Sequence, residues 1–244
     1  MPSTLLISDL HLSSGRPETG EAFFRFLAGQ ARESGTLYIL GDLFEAWTGD
    51  DELRAADGDP LARDTAAAIR TLADTGTAVH LMHGNRDFLL RDGFLHAAGA
   101  TLLADPSVVE VGGVRSLLMH GDTLCTDDTD YQSWRGTARS VKWQDEFLAK
   151  PLAARRAAML ELREASTRSI RAKPAAIMDV NANAVVDAFR RHGVQRMIHG
   201  HTHRPARHKH VVDGAACERW VLPDWYQRGG YLVADNLGLR LVRF

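Results

Sequence analysis

Five apolar runs of strand character each end on residues that can donate an electron pair to a metal ion, and any fold of this chain must place all five. Asp9 and His11 follow TLLIS, Asp42 follows LYILG, Asn85 follows AVHLMHG, His120 follows RSLLM, and His201 and His203 follow RMIHG. A buried strand ending in an oxygen or imidazole donor points that donor into a crevice at the carboxyl edge of a sheet. Five such ends side by side make a site for two hard-to-borderline divalent cations, and a two-metal site implies hydrolysis of a phosphate ester or anhydride.

The pattern around these runs predicts an α/β (α+β) chain. Thr4 to Ser8, Leu37 to Leu40 and Ala78 to Met82 read as strands, separated by helical spacing over Glu21 to Glu33 and Leu61 to Ala73, with a short helix over Asp92 to Ala98. Continuous apolar strands between helices belong in a sheet covered on both faces. Val108 to Val111 and Val114 to Met119 then flank Gly112-Gly113, a hairpin signal. Asp213-Gly214 joins two more short strands, and Asn236 to Gly238 turns Tyr231 to Asp235 into Leu239 to Val242. These features predict two sheets packed face to face with helices outside. Thr126 to Ala172 is different: helical throughout, without a strand candidate, and broken at Lys150-Pro151. It reads as a helical insertion over the crevice within a single domain spanning 1–244.

Each motif also has an ordinary reading. Asp9 and His11 alternate around Leu10, so an extended segment turns both to one side; a strand-end Asp with a surface His would look the same. Gly41 permits the sharp turn that lifts Asp42 clear of the sheet, and a carboxylate there is the natural bridge between two cations. In Gly84-Asn85-Arg86-Asp87, Asn85 offers a neutral carbonyl oxygen, Arg86 a planar fork of donors suited to phosphate, and Asp87 a helix N-cap. His120 alone would read as a satisfied core histidine, with Asp122 as a partner that orients a ligand imidazole. In His199-Gly200-His201-Thr202-His203, the last two histidines can serve different metals, while His199 belongs to the strand end.

The motifs DLH, GDLFE, GNRD, HGD and GHTH resemble those of the calcineurin-like metallophosphoesterases over nearly the whole chain outside the insertion. The resemblance implies a two-sheet β-sandwich flanked by helices, here with a helical cap at about 126–172. It also implies that Asp9, His11, Asp42 and His203 hold one divalent metal, and Asp42, Asn85, His120 and His201 the other. SDLHL, LGDLFEAW, HGNRDFLL, LMHGDTLCTDDTDYQ, AIMDVN and HGHTHRP are similar to the branch of that family that cleaves UDP-2,3-diacylglucosamine. That closer likeness implies manganese as the metal and water attack on the α-phosphorus. Asn85, Arg86 and His201 would then be catalytic, stabilising charge on the phosphoryl oxygens. The implied substrate contacts are Asn85, Arg86, Asp128, Arg163, Ser166, Ile170, Lys173 and His201. Ile170 departs from the branch's pattern, which has asparagine there, so one hydrogen bond to sugar or phosphate would have to come from elsewhere, such as Thr167 or Arg168.

A diacylated substrate needs an apolar cleft, and the insertion offers Trp134, Trp143, Phe147, Leu148, Leu152, Met159 and Leu162. Arg155, Arg156, Arg163, Arg168, Arg171 and Lys173 crowd the same segment. Basic residues beside an apolar stripe read as a membrane-surface helix pair, and an amphipathic lid with a solvated basic face is the competing reading. We therefore expect a peripheral protein at the cytoplasmic face of the inner membrane. The formal net charge of −2 gives no reason to expect a nucleic-acid partner, and no obligate protein partner is expected. Two distant cysteines, Cys125 and Cys217, predict reduced thiols rather than a disulfide framework. The N-terminus lacks the basic leader and apolar core of a signal peptide, and no apolar run approaches the roughly 20 residues of a membrane span. Two other functions remain open: a phosphoesterase acting on another nucleotide or phosphoester, and a catalytically silent scaffold of the same fold.

Overall fold

Successive residues of the early strands face opposite ways, and the two faces enter different cores. A computed structural model describes residues 2–173, 177–226 and 229–244, with the backbone alone for 170–172. In β1 (Ser3–Ile7), β2 (Ser34–Leu40) and β3 (Ala78–Met82), the residues Leu5, Ile7, Leu37, Ile39, Val79 and Leu81 pack on one side. Their neighbours there are Phe23 and Phe26 of α1 (Pro17–Ala28), Ile69 and Leu72 of α2 (Pro60–Asp74), and Phe94 of α3 (Asp92–Ala98). The intervening Leu6, Tyr38, Leu40 and Met82 face a second sheet. Period-two alternation thus separates a helix-facing core from an inter-sheet core.

The first sheet continues with β4 (Thr101–Leu103), and the second begins with β5 (Ser107–Val111) and β6 (Val114–Met119). Three helices follow, α4 (Thr129–Ala138), α5 (Val141–Leu148) and α6 (Leu152–Ala172), then α7 (Ala182–His192). The chain ends with β7 (Arg196–His199), β8 (Ala206–Val212), β9 (Ala215–Val221), β10 (Gly230–Asp235) and β11 (Gly238–Arg243). The sheets have the orders β11-β10-β1-β2-β3-β4 and β5-β6-β7-β9-β8. Strands β1 to β4 run parallel, as do β6, β7 and β9, while the terminal hairpins add antiparallel edges. The outer face of the second sheet, through Leu117, Met119 and Met197, is covered by Val185 and Phe189 of α7. The result is a helix–sheet–sheet–helix sandwich of mixed sheets, and the carboxyl ends of β1, β2, β3, β6 and β7 meet along one edge.

Several elements depart from expectation. Helix α1 starts at Pro17, whose fixed φ suits a first helical turn, and stops at Gly29, beyond which Gln30–Glu33 form a 3₁₀ turn; the predicted helix to Glu33 is broken there. Strand β4 and helix α7 were not expected. Helix α7 carries ordinary boundary signals: Asn181 accepts from Asn183 N at 2.9 Å and Ala184 N at 3.1 Å, and Gly193 closes the helix in the left-handed region.

The cap helices correct the membrane-facing reading of the basic cluster. Arg155 is buried, donating to Thr48 O at 2.6 Å and Asp51 Oδ1 at 2.9 Å. Arg156 pairs with Glu52 and Asp57, Arg163 with Glu45, and Lys173 with Asp128 at 2.6 Å. These cations turn inward to acidic residues of the sandwich and its loops; Arg168 pairs on the surface with Glu164 at 3.7 Å, and the side chain of Arg171 lies outside the described residues. The apolar residues turn inward too. Phe147 and Met159 are buried in the helix-facing core, with Trp143, Leu148 and Leu162 packed against it, whereas Trp134, Val141 and Leu160 are exposed.

Candidate metal centre

Five of the seven candidate ligands sit in left-handed backbone: Asp9 (φ 55°), His11 (50°), Asp42 (53°), His201 (67°) and His203 (52°). Among the described non-glycine residues, the one other case is Asp213, in the turn between β8 and β9. Asp and His tolerate this conformation better than most residues, yet it carries strain that clusters at functional sites. The observation corrects the sequence reading of Asp9 and His11. They do not converge by alternation in an extended segment; two left-handed kinks turn them inward, fastened by Asp9 N to Gly41 O at 3.1 Å and His11 N to Asp42 O at 2.9 Å.

The ligand atoms gather in overlapping groups. Those of Asp9, His11 and His203 lie within 4.8 Å of one another, as do those of Asp9, Asp42 and His120. His203 Nε2 is 3.4 Å from Asp9 Oδ1, and His11 Nε2 is 3.7 Å from Asp42 Oδ2. On the other side His120 Nε2 is 3.8 Å from Asp42 Oδ2. Asn85 Oδ1 lies 2.9 Å from His120 Nε2 and 3.0 Å from His201 Nδ1. Asp9 belongs to both groups, and Asp42 Oδ2 lies between His11 on one side and His120 on the other. His199 stays out of the site, bonding Gly200 O and Arg219 Nη1.

Two features show that this donor set fits cations. Asp9 Oδ1 is buried without a hydrogen-bond partner, although Oδ2 accepts from Ser8 Oγ at 2.6 Å and His201 N at 2.8 Å. His120 Nδ1 lies 2.9 Å from the Leu40 carbonyl, which holds the ring so that Nε2 is the nitrogen turned toward Asn85 and Asp42. With its amide turned over, Asn85 would donate to both imidazoles and to Asp42 Oδ2 at 3.2 Å. Asn85 thus sits among two imidazoles, the Asp42 carboxylate and the Arg86 guanidinium, whose Nε lies 3.3 Å away. Carboxylate, imidazole and amide oxygen together suit a hard-to-borderline divalent ion.

Electrostatics agree. Burial, and then neighbouring positive groups, lower His11 to about 4, against the pull of Asp42 and Asp9. Burial and His120 likewise lower His201 to about 4, so both present the neutral, ligating form at pH 7. Burial opposes charging of His120, but Asp42, Asp122 and Asp9 outweigh it and lift its pKa to about 9. That pull on a proton is the pull a metal cation would answer.

Surrounding residues hold the ligand loops. Asp87 caps no helix; its carboxylate accepts from Leu43 N at 2.7 Å, Gly84 N at 2.8 Å and Asp42 N at 3.3 Å, clamping two ligand loops together. Asp122 makes no hydrogen bond to an imidazole among the described residues; it accepts from Tyr131 OH at 2.6 Å and Arg135 Nε at 2.7 Å, tying α4 to the site. Three residues had no assigned part in the sequence reading. Tyr226 stacks on His11 at 4.8 Å between ring centroids, Arg16 lies over Tyr226 at 4.2 Å, and Glu45 gathers Arg16, Arg163 and the Tyr226 hydroxyl while facing His11 Nδ1 at 3.4 Å. Glu45 was visible inside GDLFE, three residues after Asp42; Tyr226 sits in a loop that carried no signal.

The residues implied as substrate contacts approach the centre unevenly. Arg86 is half-buried, its N–H donating to Asp42 Oδ1 at 2.8 Å. Arg163 reaches the centre through Glu45, and Lys173 pairs with Asp128, which also caps α4 through Tyr131 N at 3.1 Å. Arg163, Ser166, Ile170 and Lys173 recur at helical spacing, and Ser166 is half-buried; the side chain of Ile170 lies outside the described residues. A narrow cavity beside Asn85 is walled by Phe88, Tyr131, Trp134 and Arg139.

The family model "Calcineurin-like phosphoesterase" matches residues 2–205. A protein of Aromatoleum aromaticum named UDP-2,3-diacylglucosamine hydrolase is 50% identical over 97% of this chain and 94% of its own length. Proteins of the same name from Cellvibrio japonicus and Escherichia coli O81 are 49% and 46% identical, covering 98% and 99% of both chains. These matches run through the cap helices as well as the sandwich.

Proposed function

The chain belongs to the calcineurin-like phosphoesterase family, and from that premise we propose that it hydrolyses the pyrophosphate bond of UDP-2,3-diacylglucosamine. The products are UMP and 2,3-diacylglucosamine 1-phosphate, in the synthesis of lipid A. The carrying observation is the pairing of a cradle of five metal-type ligands, with Asn85 and His201 beside it, and a docked helical cap, a combination over which the chain is about half identical to proteins bearing that activity's name. We read the chain as one metallophosphoesterase domain, 1–244, with the cap at about 126–172.

In this reading Asp9, His11, Asp42 and His203 would hold one divalent ion, and Asp42, Asn85, His120 and His201 the other. Such ions, manganese in our proposal, lower the pKa of water and draw charge from phosphate oxygens. Water attacks the α-phosphorus in line, the bond from that phosphorus to the bridging oxygen breaks, the sugar phosphate leaves with that oxygen, and the water's spare proton passes to solvent. Arg86 supplies a planar donor fork to the phosphoryl oxygens, with Asn85 and His201 orienting the same group. The leaving phosphate is a weak base, so it needs little help from a general acid. Asp128, Arg163, Ser166 and Lys173 meet the glucosamine and its phosphate from the cap.

No described helix is long and apolar enough to cross a membrane. We propose peripheral binding at the cytoplasmic face of the inner membrane through the exposed cap residues Trp134, Val141 and Leu160, the inward basic residues serving to dock the cap. The test is UMP release from UDP-2,3-diacylglucosamine with manganese, against dinucleoside polyphosphate and phosphoprotein controls. Preferred turnover of the lipid is expected, and preferred turnover of a control overturns the assignment.

A further inference from the structure

We propose that a cavity beside the metal loop receives the uridine half of the substrate, an inference that rests on the function proposed above. The cavity encloses about 460 Å³, within the range of small-molecule sites. Asp179, Thr202, Arg204, His208, Arg219 and Arg243 line it, with Pro205, Ala206 and Val221 as apolar wall. Thr202 lies between His201 and His203, so one wall of the cavity is the loop that carries two candidate ligands.

Position argues for the nucleotide half. The cap reaches the centre through Arg163 with Glu45 and through Lys173 with Asp128, and no residue of α4, α5 or α6 lines this cavity. Its walls come instead from the metal loop, from β8, β9 and β11, and from Asp179 in the segment that precedes α7. A phosphorus attacked between two large substituents needs room for both, and the cap is the place for the acylated one. The uridine half requires a second recess one residue from the ligands, and this cavity supplies it.

Chemistry argues for a base with more acceptors than donors. Uracil presents two carbonyl oxygens and one N–H. The cavity offers three guanidinium groups against one carboxylate, Asp179, which pairs with Arg204. Arg219 is 6% exposed, and its Nη1 meets His199 Nε2 at 3.0 Å while its Nε lacks a partner. Thr202 Oγ1 is also buried without one. Both residues line the cavity, and the protein leaves these donors unpaired. Arg243, whose Nη2 donates to Pro205 O at 3.3 Å, offers a planar face on which a base can stack.

The experiment is calorimetric titration of the manganese-loaded, full-length protein with UMP and, separately, inorganic phosphate. Both ligands share the phosphate, so their ratio isolates the nucleoside. Wild type should bind UMP at least about tenfold more tightly than phosphate. Arg243→Ala at the end of an edge strand, and Ala206→Phe to fill the recess, should each remove about fivefold or more of the UMP affinity while leaving phosphate affinity unchanged. Equal affinity of wild type for the two ligands overturns the inference. So do unchanged UMP affinity in both variants and a parallel loss for phosphate, which would make the cavity a plain anion site. Failure of the underlying function is separate: wild type would then release no UMP from UDP-2,3-diacylglucosamine, whatever these affinities are.

Discussion

Gly84→Ala tests how tightly the ligand loops are meshed. A Cβ on Gly84 would stand 2.0 Å from Asp42 Oδ1 and 2.2 Å from Asp42 N, against a floor near 3.0 Å for real Cβ contacts. About 1 Å must therefore be absorbed by the proposed bridging carboxylate or its backbone. Neither loop yields freely, because Asp87 binds the N–H groups of both Asp42 and Gly84. A misplacement of about 1 Å in a reacting constellation costs roughly 100-fold in rate, equal to about 2.7 kcal/mol of barrier at about 1.36 kcal/mol per decade. Overpacking should add a stability loss of about 1–3 kcal/mol. The assay is kcat for UMP release at saturating manganese, with the thermal midpoint alongside. Gly136→Ala is the control: its Cβ meets nothing within 4 Å in α4, so activity should hold and stability should rise by up to about 1 kcal/mol. A Gly84→Ala enzyme with kcat within about threefold of wild type would refute the reasoning.

Arg86→Ala should lower kcat by about 10²–10³ while the bound metal count stays at the wild-type value; loss of metal instead would make Arg86 structural. Tyr226→Ala removes the ring stacked on His11 and should weaken metal binding by about tenfold, read by competition with a chelator; unchanged affinity contradicts the role. Acid should undock the cap. Burial pushes the Glu52 carboxyl up, but hydrogen bonds from Arg156 and Thr48 outweigh it and hold it below its ordinary 4.5. A carboxyl lowered by folding stabilises above its unfolded pKa and loses that contribution as pH falls through the folded value. Hydrogen-exchange protection of α6, corrected for intrinsic rates, should therefore stay level from pH 7 to about 4.5 and decline below it; a loss on going alkaline would contradict this.

The convergence of the seven candidate ligands was legible because each closes an apolar run whose residues alternate between two cores, as Leu5 and Ile7 against Leu6 show. The backbone that aims them was not legible. Left-handed φ at Asp9, His11 and Asp42 is imposed by bonds between loops distant in sequence, and local pattern carries no record of those bonds. The same limit explains Asp87 and Asp122, whose neighbours suggested a helix cap and an imidazole partner, while their carboxylates went to other elements. Arg155 shows it again: in α6 it reads as one more surface cation, and the loop carrying Thr48 and Asp51 makes it a buried anchor. Tyr226 was unreadable because a loop has no periodicity to betray it. Helix α7 was readable in principle, through Asn181, Gly193 and the spacing of Val185 and Phe189.

The count of tightly bound divalent ions per chain tests the account most directly. Purified protein, stripped by chelator and reloaded with manganese, should bind two ions per chain, with the magnetic coupling of a closely spaced pair in its electron paramagnetic resonance spectrum. Asp42→Ala should abolish the coupling, because that carboxylate lies between His11 on one side and His120 on the other. A single uncoupled ion in wild type, or coupling that survives Asp42→Ala, would contradict the account.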